Sequence, residues 1–394
     1  MDYIFSDKLK NLEGNAIREI FKLLSQPGII SFAGGLPAGL ALPKGEIKEI
    51  LNELLSQESA VSLLQYGATA GYAPFLNEGI KYAERFGIKD IAEDEIMAIS
   101  GGQQGIDLTL KAFINKGDVM LVEEPTYLAV LHILKSYEGV AVGVKSDENG
   151  IDLADLEAKI KKHNPKVFYL VPTFANPTGN TLSTENRKEI ARITAKYGVI
   201  LLEDNPYAEL RFKGEHLPAI KSYDTAGNVI YLASFSKIIS PGMRVGLAVA
   251  DKKVIAKMVI GKQATDVHTA LLSQATVAKY LEKNLLNPAL EKNIPMYKEK
   301  FYAMLSAIEK HFPPYAKYTR PDGGLFIWVT LPDSFDTSKL FKRAVERKVA
   351  FVPGESFYAN GNTKNTFRLN FSNATLQQIE DGIKILSEVI KEYD

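Results

Sequence analysis

The chain has 394 residues, long for a single core and enough for two domains, and 46% of them are hydrophobic, so there is ample apolar material to bury. Its 47 Lys and Arg balance 47 Asp and Glu, which argues against a nucleic-acid footprint and a polybasic membrane patch. Cysteine is absent, which excludes disulfides and thiolate metal sites, and the five histidines (His132, His163, His216, His268 and His311) lack metal-ligand spacing, so no metal is expected.

The chain opens Met1-Asp2-Tyr3-Ile4-Phe5-Ser6-Asp7, too acidic and with too short an apolar run for a signal peptide. No window reaches the roughly 20 apolar residues of a membrane span, so a cytoplasmic location is expected. From about residue 96 strands and helices alternate. Ile96-Met97-Ala98-Ile99 leads into Ser100-Gly101-Gly102-Gln103-Gln104-Gly105, and a helical stripe of Ile106, Leu110, Phe113 and Ile114 follows. A glycine turn opening a helix presents unpaired backbone N–H groups and a positive dipole end, a cradle for phosphate, although the same turn also suits an ordinary helix start.

Strand-like runs continue at 119–122, 140–144, 167–171, 199–202, 229–233 and 245–250. The alternation predicts a mostly parallel sheet between layers of helices, an α/β architecture. Three of these runs end in polar elements. Val167 to Val171 is followed by Asn176-Pro177-Thr178-Gly179, Val199 to Leu202 by Glu203-Asp204-Asn205-Pro206-Tyr207, and 229–233 by Ser234-Phe235-Ser236-Lys237-Ile238-Ile239-Ser240-Pro241-Gly242-Met243-Arg244. Ligands of open α/β sheets bind at the carboxyl ends of strands, where these elements stand. Residues 275–312 read as helical with a break at Leu285, Leu286 and Asn287-Pro288. Short strands at Phe326-Ile327-Trp328-Val329, Ala350-Phe351-Val352 and Phe367-Arg368-Leu369 follow, and a C-terminal helix runs through Ile383, Ile385, Leu386 and Ile390.

The segment from Ser234 to Arg244 carries the most chemistry. A lysine amine condenses with a carbonyl, while hydroxyls and a fixed guanidinium fork suit phosphate oxygens, and pyridoxal phosphate presents both groups on one molecule. A polar turn after a strand is the alternative for these eleven residues alone. Arg368 sits in an alternating strand pattern with apolar neighbours, where a guanidinium is costly without an anionic partner.

In order and placement, the Ser-Phe-Ser-Lys segment with its Pro-Gly-x-Arg continuation, the Asn-Pro-Thr-Gly turn and the Asp-Asn-Pro-Tyr element resemble the class I/II aminotransferases, the fold-type-I pyridoxal-phosphate enzymes. The opening Asn15-Ala16-Ile17-Arg18-Glu19-Ile20 and the segment from Pro27 to Pro37 are most similar to the 2-aminoadipate and broad-specificity aromatic aminotransferases. The resemblance implies a large domain over 46–284 with a seven-stranded sheet, and a smaller α/β domain made of 1–45 and 285–394. It implies that Lys237 bonds the cofactor and moves the substrate proton, that Asp204 pairs with the pyridine nitrogen, that Asn176 and Tyr207 meet the ring oxygen, and that Tyr127 stacks on the ring. Gly102, Gln103, Ser234, Ser236 and Arg244 would hold the phosphate, joined by Tyr66 from the second subunit of a homodimer. Arg368 would clamp the α-carboxylate beside Gly35 and Asn176, and Arg18 would meet a distal side-chain carboxylate.

The expected activity is a ping-pong exchange of an amino group between an amino acid (2-aminoadipate, aromatic or aliphatic) and a 2-oxo acid such as 2-oxoglutarate. The alternatives are another reaction of the same lysine-bound cofactor, such as β-elimination, and a non-catalytic regulatory relative. No basic helix-turn-helix segment precedes Ile17 and Arg18, which speaks against the latter.

Overall fold

The computed structural model describes residues 3–10, 12, 28–58 and 60–393. Arg18 lies outside them. The described strands, in chain order, are β1 (Ile30–Ser31), β2 (Ile96–Ile99), β3 (Val119–Glu124), β4 (Val140–Asp147), β5 (Gly150–Ile151), β6 (Val167–Leu170), β7 (Ile200–Asn205), β8 (Val229–Ser234), β9 (Gly246–Val249), β10 (Lys317–Tyr318), β11 (Phe326–Thr330), β12 (Val349–Ala350), β13 (Val352–Pro353) and β14 (Thr366–Asn370).

The central sheet has the order β2-β9-β8-β7-β6-β3-β4-β5. From β8 through β7, β6 and β3 to β4 every pairing is parallel, whereas β9 runs against both of its neighbours. The expected seven strands are all present. An eighth, the two-residue β5, folds back antiparallel on β4. The inner strands read as continuous apolar runs because both faces are covered. Met120, Val122, Tyr169 and Leu202 pack on one side, and Leu121, Phe168, Leu170 and Leu201 on the other.

A second, antiparallel sheet has the order β10-β11-β14-β13, and β1 pairs in parallel with β12. Helices Leu286–His311 and Leu376–Lys391 pack against each other beside this sheet. The second of them starts with a capping box in which Thr375 and Gln378 exchange hydrogen bonds. The expected helical break over 285–288 falls slightly earlier, between helices Leu271–Glu282 and Leu286–His311. Pro288 stands in the first turn of the second helix, where the missing N–H costs nothing. No helix among the described residues is long and apolar enough to cross a membrane.

Candidate active site

The carboxyl ends of β6, β7 and β8 and the start of helix Gly102–Phe113 enclose a cavity of about 260 Å³. Ten of the residues singled out from the sequence line it together: Gly102, Gln103, Tyr127, Asn176, Asp204, Tyr207, Ser234, Ser236, Lys237 and Arg244. Register explains part of this convergence. Gly246 on β9 pairs with both Ile99 and Ser234, so the turn after β2 and the end of β8 flank one glycine.

Lys237 is largely buried, and its Nζ donates to the carbonyl oxygen of Gly35 at 2.7 Å. Burial first, then the Arg368 and Arg244 guanidinium groups, push its amine down to about 8, with the Asp204 charge opposing them. About a tenth of such an amine is neutral at pH 7, far more than for an ordinary lysine. Asp204 accepts from the Tyr169 hydroxyl through Oδ2 at 2.9 Å, while its buried Oδ1 has no partner. Burial pushes its carboxyl up to about 6 against the Tyr169 hydrogen bond and the Lys237 charge. Tyr127 and Tyr207 have their phenols raised, chiefly by burial.

Arg368 projects from β14, whose register sets it opposite Trp328 on one side and Val352 on the other. Nη1 donates to Asn176 Oδ1 and Nη2 to the Ala33 carbonyl oxygen, both at 2.7 Å, and the guanidinium lies 4.3 Å from the Phe326 ring centroid. Nε is buried without a partner. Burial lowers this group to about 10, still high enough to keep the charge at neutral pH. Arg368 therefore ties β14, the Asn176 turn and the strand-like segment after β1 into one wall.

At the other end, Gly101 caps helix Gly102–Phe113 with φ +82°, a conformation that favours glycine. A Cβ at Gly101 would stand 2.6 Å from Arg244 Nη2, and one at Gly102 would stand 3.4 Å from Asp204 Oδ1. A side chain at Gly101 would therefore displace the Arg244 guanidinium, whereas one at Gly102 would make only ordinary contact. Arg244 Nη2 donates to the Ser100 carbonyl oxygen at 2.9 Å, which aims the fork along the turn.

Of the other expected site residues, Gly35 and Arg368 do not line the cavity but bond to Lys237 and Asn176, which do. Tyr66 is 81% exposed and stacks edge-on against His268, with ring centroids 5.9 Å apart, so it does not line the cavity of its own chain. Arg18 is outside the described residues. Sequence reasoning missed Tyr169 and Leu36, of which Leu36 lines the cavity. Tyr169 was detectable in principle: it pairs with Leu202 on the adjacent strand, and Asp204 follows two residues later on the same face.

These residues fit pyridoxal phosphate. The unpartnered Asp204 oxygen suits a protonated ring nitrogen, an amine lowered to about 8 faces the same space, and Gly102, Gln103, Ser234, Ser236 and Arg244 supply donors at a helix N-terminus.

The model of the family "Aminotransferase class I and II" matches residues 28–386. Aromatic-amino-acid aminotransferase 1 of Thermococcus litoralis is 42% identical over 100% of this chain and 95% of its own length. The 2-aminoadipate transaminase of Thermus thermophilus is 38% identical over 96% of this chain and 94% of its own. Among solved structures, the kynurenine aminotransferase of Pyrococcus horikoshii, in complex with PMP, KYN and KYA, superposes with a TM-score of 0.94 at 42% identity, over 99% of this chain and 97% of that one.

Proposed function

We propose that this chain, which belongs to the class I and II aminotransferases and is a pyridoxal-phosphate-dependent transaminase, takes the amino group of an aromatic, 2-aminoadipate-like or aliphatic amino acid and delivers it to 2-oxoglutarate. The observation that carries the site assignment is the meeting, in one cavity, of the Lys237 amine, lowered to about 8, and an unpartnered buried carboxylate oxygen at Asp204. The breadth of donors is supported by the names of the relatives at 42% and 38% identity.

Pyridoxal phosphate, when bound, supplies a reactive aldehyde and an electron-withdrawing ring. Asp204 would face the ring nitrogen, Tyr127 the ring face, Asn176 and Tyr207 the ring oxygen, and the Gly102 to Arg244 donors the phosphate. Arg368 binds the donor's α-carboxylate through its fork beside Gly35 and Asn176, which fixes Cα relative to Lys237. With its amine held near 8, Lys237 removes the Cα proton and later returns one. The departing 2-oxo acid frees Arg368 for the carboxylate of the second oxo acid, which gives a ping-pong order.

The assembly in this reading is a homodimer in which Tyr66 reaches the phosphate of the second copy, a role supported by the 81% exposure of its side chain. The two-domain division at 45/46 and 284/285 is supported by the pairing of Ile30–Ser31 with Val349–Ala350. Cytoplasmic localisation belongs to the same reading and is checked by cell fractionation. The deciding experiment assays 2-aminoadipate, glutamate, leucine, phenylalanine, tyrosine and kynurenine, using 2-oxoglutarate as acceptor (oxaloacetate for glutamate). Each accepted donor should yield its own 2-oxo acid in step with the aminated acceptor. Ammonia released without an acceptor would instead indicate elimination. Arg18→Ala, compared on acidic and apolar donors, tests its assignment to side-chain carboxylates.

A further inference from the structure

Helix Lys252–Gln263 ends beside the turn that opens helix Gly102–Phe113, and it places two ionised side chains there. The Lys262 side chain has no exposed surface, and Asp266, just past the helix, is about a third exposed. Neither position is favourable alone. A buried ammonium loses hydration, and a carboxylate next to a helix C-terminus meets the negative end of the dipole.

What offsets both is a network that reaches the turn from outside the cavity. Lys262 Nζ donates to both Asp266 oxygens at 3.0 Å and to Gln104 Oε1 at 2.5 Å. Gln104 Nε2 donates to Asp266 Oδ2 at 2.7 Å, and the Ser100 hydroxyl donates to the same oxygen at 3.0 Å. The Ser100 backbone N–H donates to Gln104 Oε1 at 2.8 Å. Ser100 and Gln104 bracket Gly101, Gly102 and Gln103, and the Ser100 carbonyl is the acceptor that orients Arg244. The backbone after Asp266 is bent to complete this arrangement. Val267 has φ +66°, rare for a β-branched residue, and the His268 N–H donates to the Asp266 carbonyl at 2.7 Å in a three-residue turn. That bend returns Thr269 to within 3.1 Å of the Ser100 hydroxyl.

We infer that Asp266 and Lys262 are positioning residues for the cofactor phosphate: a clip across Ser100 and Gln104 that holds the Gly101–Gln103 turn and Arg244 in their binding geometry. The inference rests on the reading of this turn as the phosphate cradle. Because the clip acts on the phosphate end alone, its loss weakens pyridoxal phosphate selectively over pyridoxal, which carries the same aldehyde and ring but no phosphate.

The test titrates the full chain, freed of cofactor, with each of the two aldehydes and follows absorbance, for wild type, Asp266→Asn and Lys262→Met. In each variant the dissociation constant for pyridoxal phosphate should rise about tenfold or more, the effect of losing a charge-assisted hydrogen bond, while that for pyridoxal moves less than about threefold. Equal weakening of both ligands, or no weakening of either, overturns the clip. If the charge variants do not fold, as judged by circular dichroism, Ser100→Ala decides: it removes one hydroxyl from the network and should lower the phosphate preference a few-fold, and an unchanged preference overturns the proposal. A wild type with no preference for the phosphorylated ligand would overturn the cradle reading itself, an outcome distinct from variants that keep a clear wild-type preference.

Discussion

Glu203 and Asp204 are neighbours on β7, both buried carboxylates, and they point to opposite faces of the central sheet. Glu203 is saturated: the Ile220 and Lys221 backbone N–H groups each donate to one of its oxygens at 2.8 Å. Asp204 keeps one oxygen without a partner. Two buried arginines among the described residues repeat the contrast. Arg187, on the Glu203 side, spends its donors on the carbonyls of Leu182, Pro218 and Pro172 and on the Thr173 hydroxyl, all at 2.8 to 3.0 Å. Arg368, on the Asp204 side, leaves Nε unpaired. A buried polar atom without a partner costs about 1–3 kcal/mol. Glu203 and Arg187 therefore serve stability, whereas Asp204 and Arg368 keep unpaired atoms that a ligand would complete.

The sharpest way to break that contrast is Lys237→Ala, which should abolish the covalent link to pyridoxal phosphate and lower transamination on the order of 10⁴-fold, the upper range for losing a proton-transfer group. Borohydride reduction followed by peptide mapping checks the link, and a reducible adduct that persists at the same peptide would be incompatible with the assignment. Next in size, Asp204→Ala should lower the rate on the order of 100-fold or more at full cofactor occupancy. Glu203→Gln should instead lower the thermal midpoint and leave the rate per loaded site within a few-fold. A reversal of the two outcomes would assign the wrong carboxylate to the cofactor.

The arginine pair gives a smaller difference. Arg368→Gln should lower kcat/KM about 10- to 100-fold for donor and oxo acid alike, mostly through KM, because both carboxylates use one fork. Arg187→Met should leave kcat/KM within a few-fold and destabilise the fold by about 3 kcal/mol or more, since several buried acceptors lose their donor together. Chemical denaturation beside steady-state kinetics separates the two.

The smallest effects are in pH dependence of the cofactor-freed chain. Asp204 sits at about 6 in the fold against an ordinary 3.8, so the folded state binds more protons across that window. Its contribution to stability is full below the ordinary value and fades as pH rises through about 6. Asp204→Asn should accordingly gain on wild type between pH 4 and 7, by on the order of 2 kcal/mol. Lys237 runs the other way: at about 8 against 10.5, the unfolded state binds more protons in between. Any advantage of Lys237→Met should thus shrink as pH rises from 8 to 10.5. Thermal midpoints measured across pH 4 to 10.5 check both, and flat differences would mean that the two groups are solvated.

Much of the site could be read from sequence because its chemistry is local. Lys237, Ser234, Ser236 and Arg244 share one eleven-residue segment, and Asp204 and Asn176 follow apolar runs whose lengths mark buried strands. The same runs determined the parallel sheet, since a strand buried on both faces declares itself by composition alone. Tertiary structure decided the partners. The Lys237 amine meets the Gly35 carbonyl across 202 positions of chain, and Arg368 meets Asn176 across 192. The Asp266 contact with Ser100 spans 166. No periodicity encodes such meetings. They follow from strand order and register, and so does the difference between a saturated and an unsaturated carboxylate on adjacent residues. Side-chain alternation sends Glu203 and Asp204 to opposite faces, but only packing determines which face carries backbone N–H groups and which carries a cavity.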